Sequence, residues 1–147
     1  MFLVVPNLSQ TEIKEILTKY KVVAVVGLSR DADKPSHEVA SYLQRHGYRI
    51  VPVNPFADKI LGEKSYPSLL DLPTELQEAV KVVDVFRRSE DVPPVVEQAI
   101  QLKKQHGKPL AVWMQKGIVN EEAAEKARQA GLTVVMDRCM MVEHRRL

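Results

Sequence analysis

The sequence predicts a three-layer α/β domain with a mostly parallel sheet of about five strands. Two patterns carry that prediction. The run Val22-Val23-Ala24-Val25-Val26-Gly27 is continuously apolar rather than alternating, as a strand covered on both faces should be. Three helical stretches also end alike, at His46-Gly47, His106-Gly107 and Ala130-Gly131, each followed at once by strand sequence. Glycine suits those ends because the residue after a helix takes a left-handed conformation that side chains disfavour. Repeated helix–Gly–strand units imply β-α-β crossovers and parallel neighbours.

The elements follow in order. Ser9-Gln10-Thr11-Glu12 has capping-box spacing, with Leu8 placed to staple onto Ile13, and Ile13, Ile16, Leu17 and Tyr20 recur at helical spacing. A helix over about 9–20 is expected, one face buried. Beyond the Val22 run, further strands are predicted from Tyr48 to Val53, Val80 to Phe86, Leu110 to Met114 and Leu132 to Met136. Pro35 pre-sets a helix start between the first two strands. Val92, Val95, Val96 and Ala99 mark the apolar face of another helix, and Asn120-Glu121-Glu122 supplies an N-cap and first-turn acids for one more. From Pro55 to Ala79 the turn signals Leu61-Gly62-Glu63 and Tyr66-Pro67-Ser68 predict a loop with one or two short turns.

Bulk properties narrow the function classes. At 147 residues, residues 1–147 are expected to form one domain, large enough to bury a core without metal or disulfides. A net charge of +2 gives no footprint for nucleic acid or an anionic membrane as main partner, and suits a small anionic ligand equally well. The single cysteine, Cys139, excludes an internal disulfide framework and points to a reducing cytoplasm. The apolar start MFLVVPNLSQTE lacks the basic region and small-residue cleavage site of a signal peptide, and no apolar run approaches spanning length.

In a Rossmann-like sheet, ligands bind outside the carboxyl ends of the strands, at the topological switch point. The residues that follow each strand are therefore the informative ones. Gly27-Leu28-Ser29-Arg30 leads through Lys34, Pro35 and Ser36 into a helix N-terminus, a ready phosphate site with charge and hydroxyls added. The loop has one glycine, so it is neither G-x-G-x-x-G nor a P-loop. Where an NAD site would place a ribose-binding acid after the second strand, the chain has Asn54-Pro55. Arg87-Arg88 ends the third strand, where a guanidinium can grip phosphate bidentately; the alternative is a solvated surface pair. Gln115-Lys116-Gly117 and Asp137-Arg138-Cys139 end the last two.

Taken together, Gly27-Leu28-Ser29, Gly47-Tyr48, Pro52-Val53-Asn54-Pro55, Asp84-Val85-Phe86-Arg87-Arg88, Trp113-Met114-Gln115, Gly117 and Asp137-Arg138-Cys139 with Glu143-His144-Arg145 resemble the stand-alone CoA-binding domain proteins. These in turn are similar to the N-terminal domain of the succinyl-CoA synthetase alpha subunit. The resemblance runs from about Thr11 to Leu147, and its specificity lies in the ordered set. It implies coenzyme A, free or acylated, held along the strand ends. Gly27, Leu28, Ser29, Arg30, Lys34, Pro35 and Ser36 would approach the phosphates, and Val53, Asn54 and Pro55 would wall the nucleotide. Phe86, Arg87 and Arg88 would contact it from the third strand, with Gln115 and Gly117 at the crevice edge. The synthetase carries its phosphorylated histidine in a second domain that these motifs do not cover, so the ligase reaction is not expected to carry over.

Catalytic and metal candidates are few. Cys139 and His144, with Glu143 nearby, would form a thiol–imidazole pair only if the fold joined them, and packing of the tail is the plainer expectation. His37, His46 and His106 sit at helix ends, and no cluster has zinc-ligand spacing. Trp113 and Met140-Met141 read as core. The expectation is a non-catalytic or accessory CoA-binding protein. Its rivals are an enzyme that processes acyl-CoA through Cys139 or a partner subunit, and an NAD(P)-binding regulator in which Arg87-Arg88 reads a 2′-phosphate.

Overall fold

The computed structural model describes residues 8–147. The opening apolar stretch, read above as lacking signal-peptide features, lies mostly outside them. The described elements are α1 (Gln10–Lys19), β1 (Val22–Val26), α2 (Pro35–Arg45), β2 (Arg49–Val53), β3 (Lys59–Ile60), β4 (Glu63–Lys64), α3 (Thr74–Ala79), β5 (Val82–Val85), α4 (Val92–His106), β6 (Ala111–Met114), α5 (Glu121–Gln129), β7 (Thr133–Val135) and α6 (Met140–Arg145). Short 3₁₀ turns at Leu69–Asp71 and Ser89–Asp91 precede α3 and α4.

The main sheet is parallel throughout, in the order β2-β1-β5-β6-β7. Both faces are covered, which is why the strands read as unbroken apolar runs. Ala24, Val26, Val83, Val85, Val112 and Met114 point to a layer formed with α3, α4 and α5. Val23, Val25, Ile50, Val82 and Trp113 point the other way, to α1, α2 and α6. The expected helix signals operate as chemistry predicts. Ser9 and Glu12 form a reciprocal capping box at 3.2 Å each way, and Asn120 Oδ1 accepts from the Ala123 N–H at 2.9 Å.

The segment from Pro55 to Ala79 holds more order than the turn signals alone indicated. Leu61 and Gly62 both take positive φ, 54° and 77°, and so form a two-residue reversal joining β3 to β4. Each strand is only two residues long, too short for any alternation to register in sequence. The ribbon is pinned to the end of β2, where Tyr66 donates to the Pro52 carbonyl and Asn54 to that of Tyr66.

Within the described strands of the main sheet, one buried residue breaks the apolar rule. Asp84, in the middle of β5, lies in register with Val25 and Trp113 and is completely buried. Neither carboxylate oxygen has a hydrogen-bond partner, and burial raises its pKa well above the ordinary carboxyl value.

Candidate functional site

Chain order reverses between β1 and β5: the chain runs outward from β1 to β2, then crosses back to β5 on the opposite side of β1. That is the switch point, and a crevice of about 290 Å³ opens there, lined by Gly27, Ser29, Lys34, Pro35, Ser36 and Phe86. All six were singled out from sequence. Ile118 completes the wall and had no sequence signal, because it reaches the crevice only through the fold of the β6–α5 loop.

Gly27 allows the two strand ends to meet. Its φ is +91°, and a Cβ there would sit 2.2 Å from the Phe86 carbonyl oxygen. Downstream, the loop is braced by its own side chains. Ser36 Oγ accepts from the Ser29 N–H at 2.9 Å, Ser29 Oγ from the Asp31 N–H at 3.0 Å, and Asp31 Oδ1 from the Asp33 N–H at 2.9 Å. Helix α2 starts at Pro35 with Lys34 as N-cap and no side-chain cap. The N–H groups of His37 and Glu38 both donate to the Lys34 carbonyl and Pro35 has none, so the Ser36 N–H is the donor of this first turn left for whatever enters the crevice.

The β2 side is rigid and aromatic. Asn54 Nδ2 donates to the Leu28 carbonyl at 2.9 Å, and its Oδ1 accepts from the Phe56 N–H at 2.7 Å, tying the first two strand-end loops together. Arg30 reaches the Phe56 carbonyl at 3.4 Å. Phe56 itself is 81% exposed beside Pro55, a large apolar ring held out on a fixed loop. Phe56 follows Asn54-Pro55 among the residues after the second strand, but nothing in the sequence set it apart; its exposure is what marks it.

Other expected residues are placed differently. The side chains of Leu28, Val53 and Gln115 are buried, so they can offer a ligand little beyond backbone. Gln115 Oε1 accepts from the Met140 N–H at 3.1 Å and so holds the start of α6. Arg87 is half-buried, whereas Arg88 is exposed and engaged with Asp91 at 3.0 Å and Glu90 at 3.5 Å. The two arginines therefore do different work, and only Arg87 is left without an acid in the turn before α4. Gly117 donates its N–H to Asp137 Oδ1 at 2.7 Å; this bond, foremost, holds the Asp137 carboxyl below its ordinary pKa.

A second cavity, about 460 Å³, lies over the carboxyl ends of β6 and β7, walled by Lys116, Asp137, Arg138 and residues of α6 including Val142. Cys139 is on its wall. The thiol–imidazole pairing weighed from sequence is not made here: His144 Nδ1 bonds the Tyr42 hydroxyl at 2.8 Å, and Glu143 pairs with Arg138 and Arg146. Among the described residues, no group of three or more His, Cys, Asp or Glu is arranged to hold a metal ion, and no helix is long and apolar enough to cross a membrane.

His144 docks α6 onto an aromatic cluster of Tyr42, His46 and Tyr48, ringed by Lys21 and Arg145. Burial, then the nearby His46 and Lys21, lowers its pKa; burial and Tyr42 push Tyr48 up to about 12. A histidine with a depressed folded pKa adds stability above its unfolded value, about 6.5, and loses it as pH falls through the folded value. Acidification from about pH 7 to about pH 5 should thus loosen α6. Amide protection factors across Met140–Arg145, taken against the unstructured rate at each pH, should fall, and the fall should vanish in His144→Gln. An equal fall in that variant would place the effect elsewhere.

Comparison with known proteins fits this geometry. Residues 21–145 match the family model described as CoA binding domain. The uncharacterized protein YneT of Bacillus subtilis (strain 168) is 44% identical over 138 residues, covering 94% of this chain and 96% of that protein. A hypothetical protein from Pyrococcus horikoshii OT3 has a solved structure that aligns with TM-score 0.86 at 42% identity, covering 100% of this chain and 99% of that one. An ADP-forming acetate–CoA ligase II of Archaeoglobus fulgidus is 42% identical over 83 residues, 55% of this chain but only 12% of the ligase.

Proposed function

The chain belongs to the CoA binding domain family, and from that premise we propose that it binds coenzyme A or an acyl-CoA along the carboxyl edge of its sheet, as a binding or accessory protein of acyl-CoA metabolism. One observation carries this reading: the uncapped, lysine-bearing N-terminus of α2 opens directly into the switch-point crevice. The free Ser36 N–H and a positive dipole end favour a pyrophosphate there. The groups expected at that pyrophosphate are the Leu28 and Ser36 N–H groups and Lys34, since the Gly27 and Ser29 N–H groups already donate to Val53 and Ser36. Phe56 and Pro55 offer a flat apolar wall for the adenine, and Arg87 a guanidinium for a further phosphate.

The ligase reaction does not follow from the shared segment, which spans a small part of the ligase. Calorimetric titration separates the readings. CoA should bind more tightly than NAD, since Asn54-Pro55 stands directly after β2 where an acid would hold a ribose; tighter NAD binding would overturn the proposal. Lys34→Ala and Arg87→Ala should each weaken CoA about tenfold or more, as charged hydrogen bonds are worth roughly 1.5–3 kcal/mol. Phe56→Ala should cost a similar amount, because base–aromatic stacking contributes about 1–3 kcal/mol. Arg88→Ala should matter less, its guanidinium being occupied by Asp91 and Glu90.

A further inference from the structure

Resting on that reading, we propose that the cavity over β6 and β7 receives the acyl end of the bound thioester, and that it favours acyl groups ending in a second carboxylate. Position is the first argument. The cavity and the switch-point crevice lie on the same edge of the sheet, since both are lined by residues that follow strand carboxyl ends. From the β1–β5 mouth to the β6–β7 mouth is two strand spacings, about 10 Å. The pantetheine arm, equivalent to about four residues of extended chain, reaches roughly 13 Å. A pyrophosphate seated at α2 thus delivers its thioester to the second cavity without bending back. Its volume, about 460 Å³, exceeds that of the crevice and leaves room for an acyl group beyond the sulfur.

Charge is the second argument. The lining carries three cations, Lys116, Arg138 and Arg146, against two acids, Asp137 and Glu143, an excess of one positive charge. The Glu143 side chain is almost wholly buried and accepts from both guanidiniums, Arg138 at 3.1 Å and Arg146 at 3.0 Å. That carboxylate is held in place, so it fixes the two arginines rather than neutralising both. Arg146 gives Glu143 only its Nη1 and is itself more than half exposed, so an incoming carboxylate can meet it edge-on. Lys116 pairs with Asp137 at 3.6 Å, so the excess charge sits on the arginines around Glu143, and a neutral acyl group would leave it to solvent alone.

The one cysteine of the chain sits on this wall and reports on occupancy. The experiment compares adenosine 3′,5′-bisphosphate, which lacks the arm, with acetyl-CoA and succinyl-CoA, by calorimetry and by the rate of Cys139 alkylation with iodoacetamide, read as mass. Both thioesters should slow alkylation and the bisphosphate should not. Succinyl-CoA should bind about fivefold tighter than acetyl-CoA, the value of one partly exposed charge pair. Arg146→Met should abolish that preference and leave bisphosphate affinity unchanged. Binding of all three ligands with Cys139 unprotected, or with no preference between the thioesters, would overturn this inference and leave the proposed function standing. Failure of all three to bind would overturn both.

Discussion

Gly27→Ala should lower folding stability by about 2–5 kcal/mol, the sum of a left-handed backbone cost of about 1–2 and an overpacking cost of about 1–3. Both terms apply at once here. The φ of +91° disfavours any side chain, and the new Cβ would meet the Phe86 carbonyl oxygen at 2.2 Å. Backbone cannot rotate away as a side chain can, because the Phe86 N–H is bonded to Val26 and the Gly27 N–H to Val53. Gly47→Ala supplies the control: its φ is +90°, but its Cβ would meet nothing within 4 Å. Urea denaturation of the two variants should show Gly27→Ala losing at least about 1 kcal/mol more, the overpacking term alone. Equal losses would mean that the β1 and β5 ends part easily and that the close approach is not a constraint. Because Gly27 and Phe86 also line the crevice, the same contact sets the width of the candidate phosphate site.

The second large effect runs the other way. Asp84→Val should raise stability at about pH 8 by about 1–3 kcal/mol, the cost of a buried polar group left without a partner. The site is strand-central, apolar and flanked by Val25 and Trp113, so a β-branched apolar residue fits its surroundings. Desolvation raises the folded-state pKa of Asp84, so the folded protein keeps the proton that the unfolded chain releases. Its favourable contribution is complete below the unfolded pKa, about 3.9, and is lost as pH rises toward the folded value. The advantage of Asp84→Asn over the parent should therefore widen from about pH 5 to about pH 8. A difference independent of pH would show that the carboxyl ionises as readily inside the sheet as in water.

Much of this architecture was legible because its causes are local. Continuous apolar runs and three helix-ending glycines announced a parallel sheet, and the capping residues Ser9, Glu12 and Asn120 announced their helices. Six of the residues around the crevice were legible for a related reason: in a parallel sheet, ligand contacts come from the residues that follow strands, and strands can be read. The β3–β4 ribbon was not legible, since four residues carry no periodicity. Helix α6 was missed too, because its amphipathic pattern is only six residues long and its partners, α1 and α2, lie far away in sequence.

Sequence by itself determined the chain's architecture, the parallel sheet, and the set of loops that could meet a ligand, because helix ends, strand burial and turn chemistry are written in neighbouring residues. Tertiary structure alone decided which members of that set face the crevice. Adjacent arginines look alike in sequence, yet Arg88 is engaged by Asp91 and Glu90 while Arg87 is not; Gln115 turns inward to hold Met140, and Phe56 turns out. It also parted Cys139 from His144 by giving the imidazole to Tyr42, and put the thiol on a cavity wall with Arg138 and Arg146. Those assignments depend on which distant atoms reach a side chain first, and chain spacing carries no record of that distance.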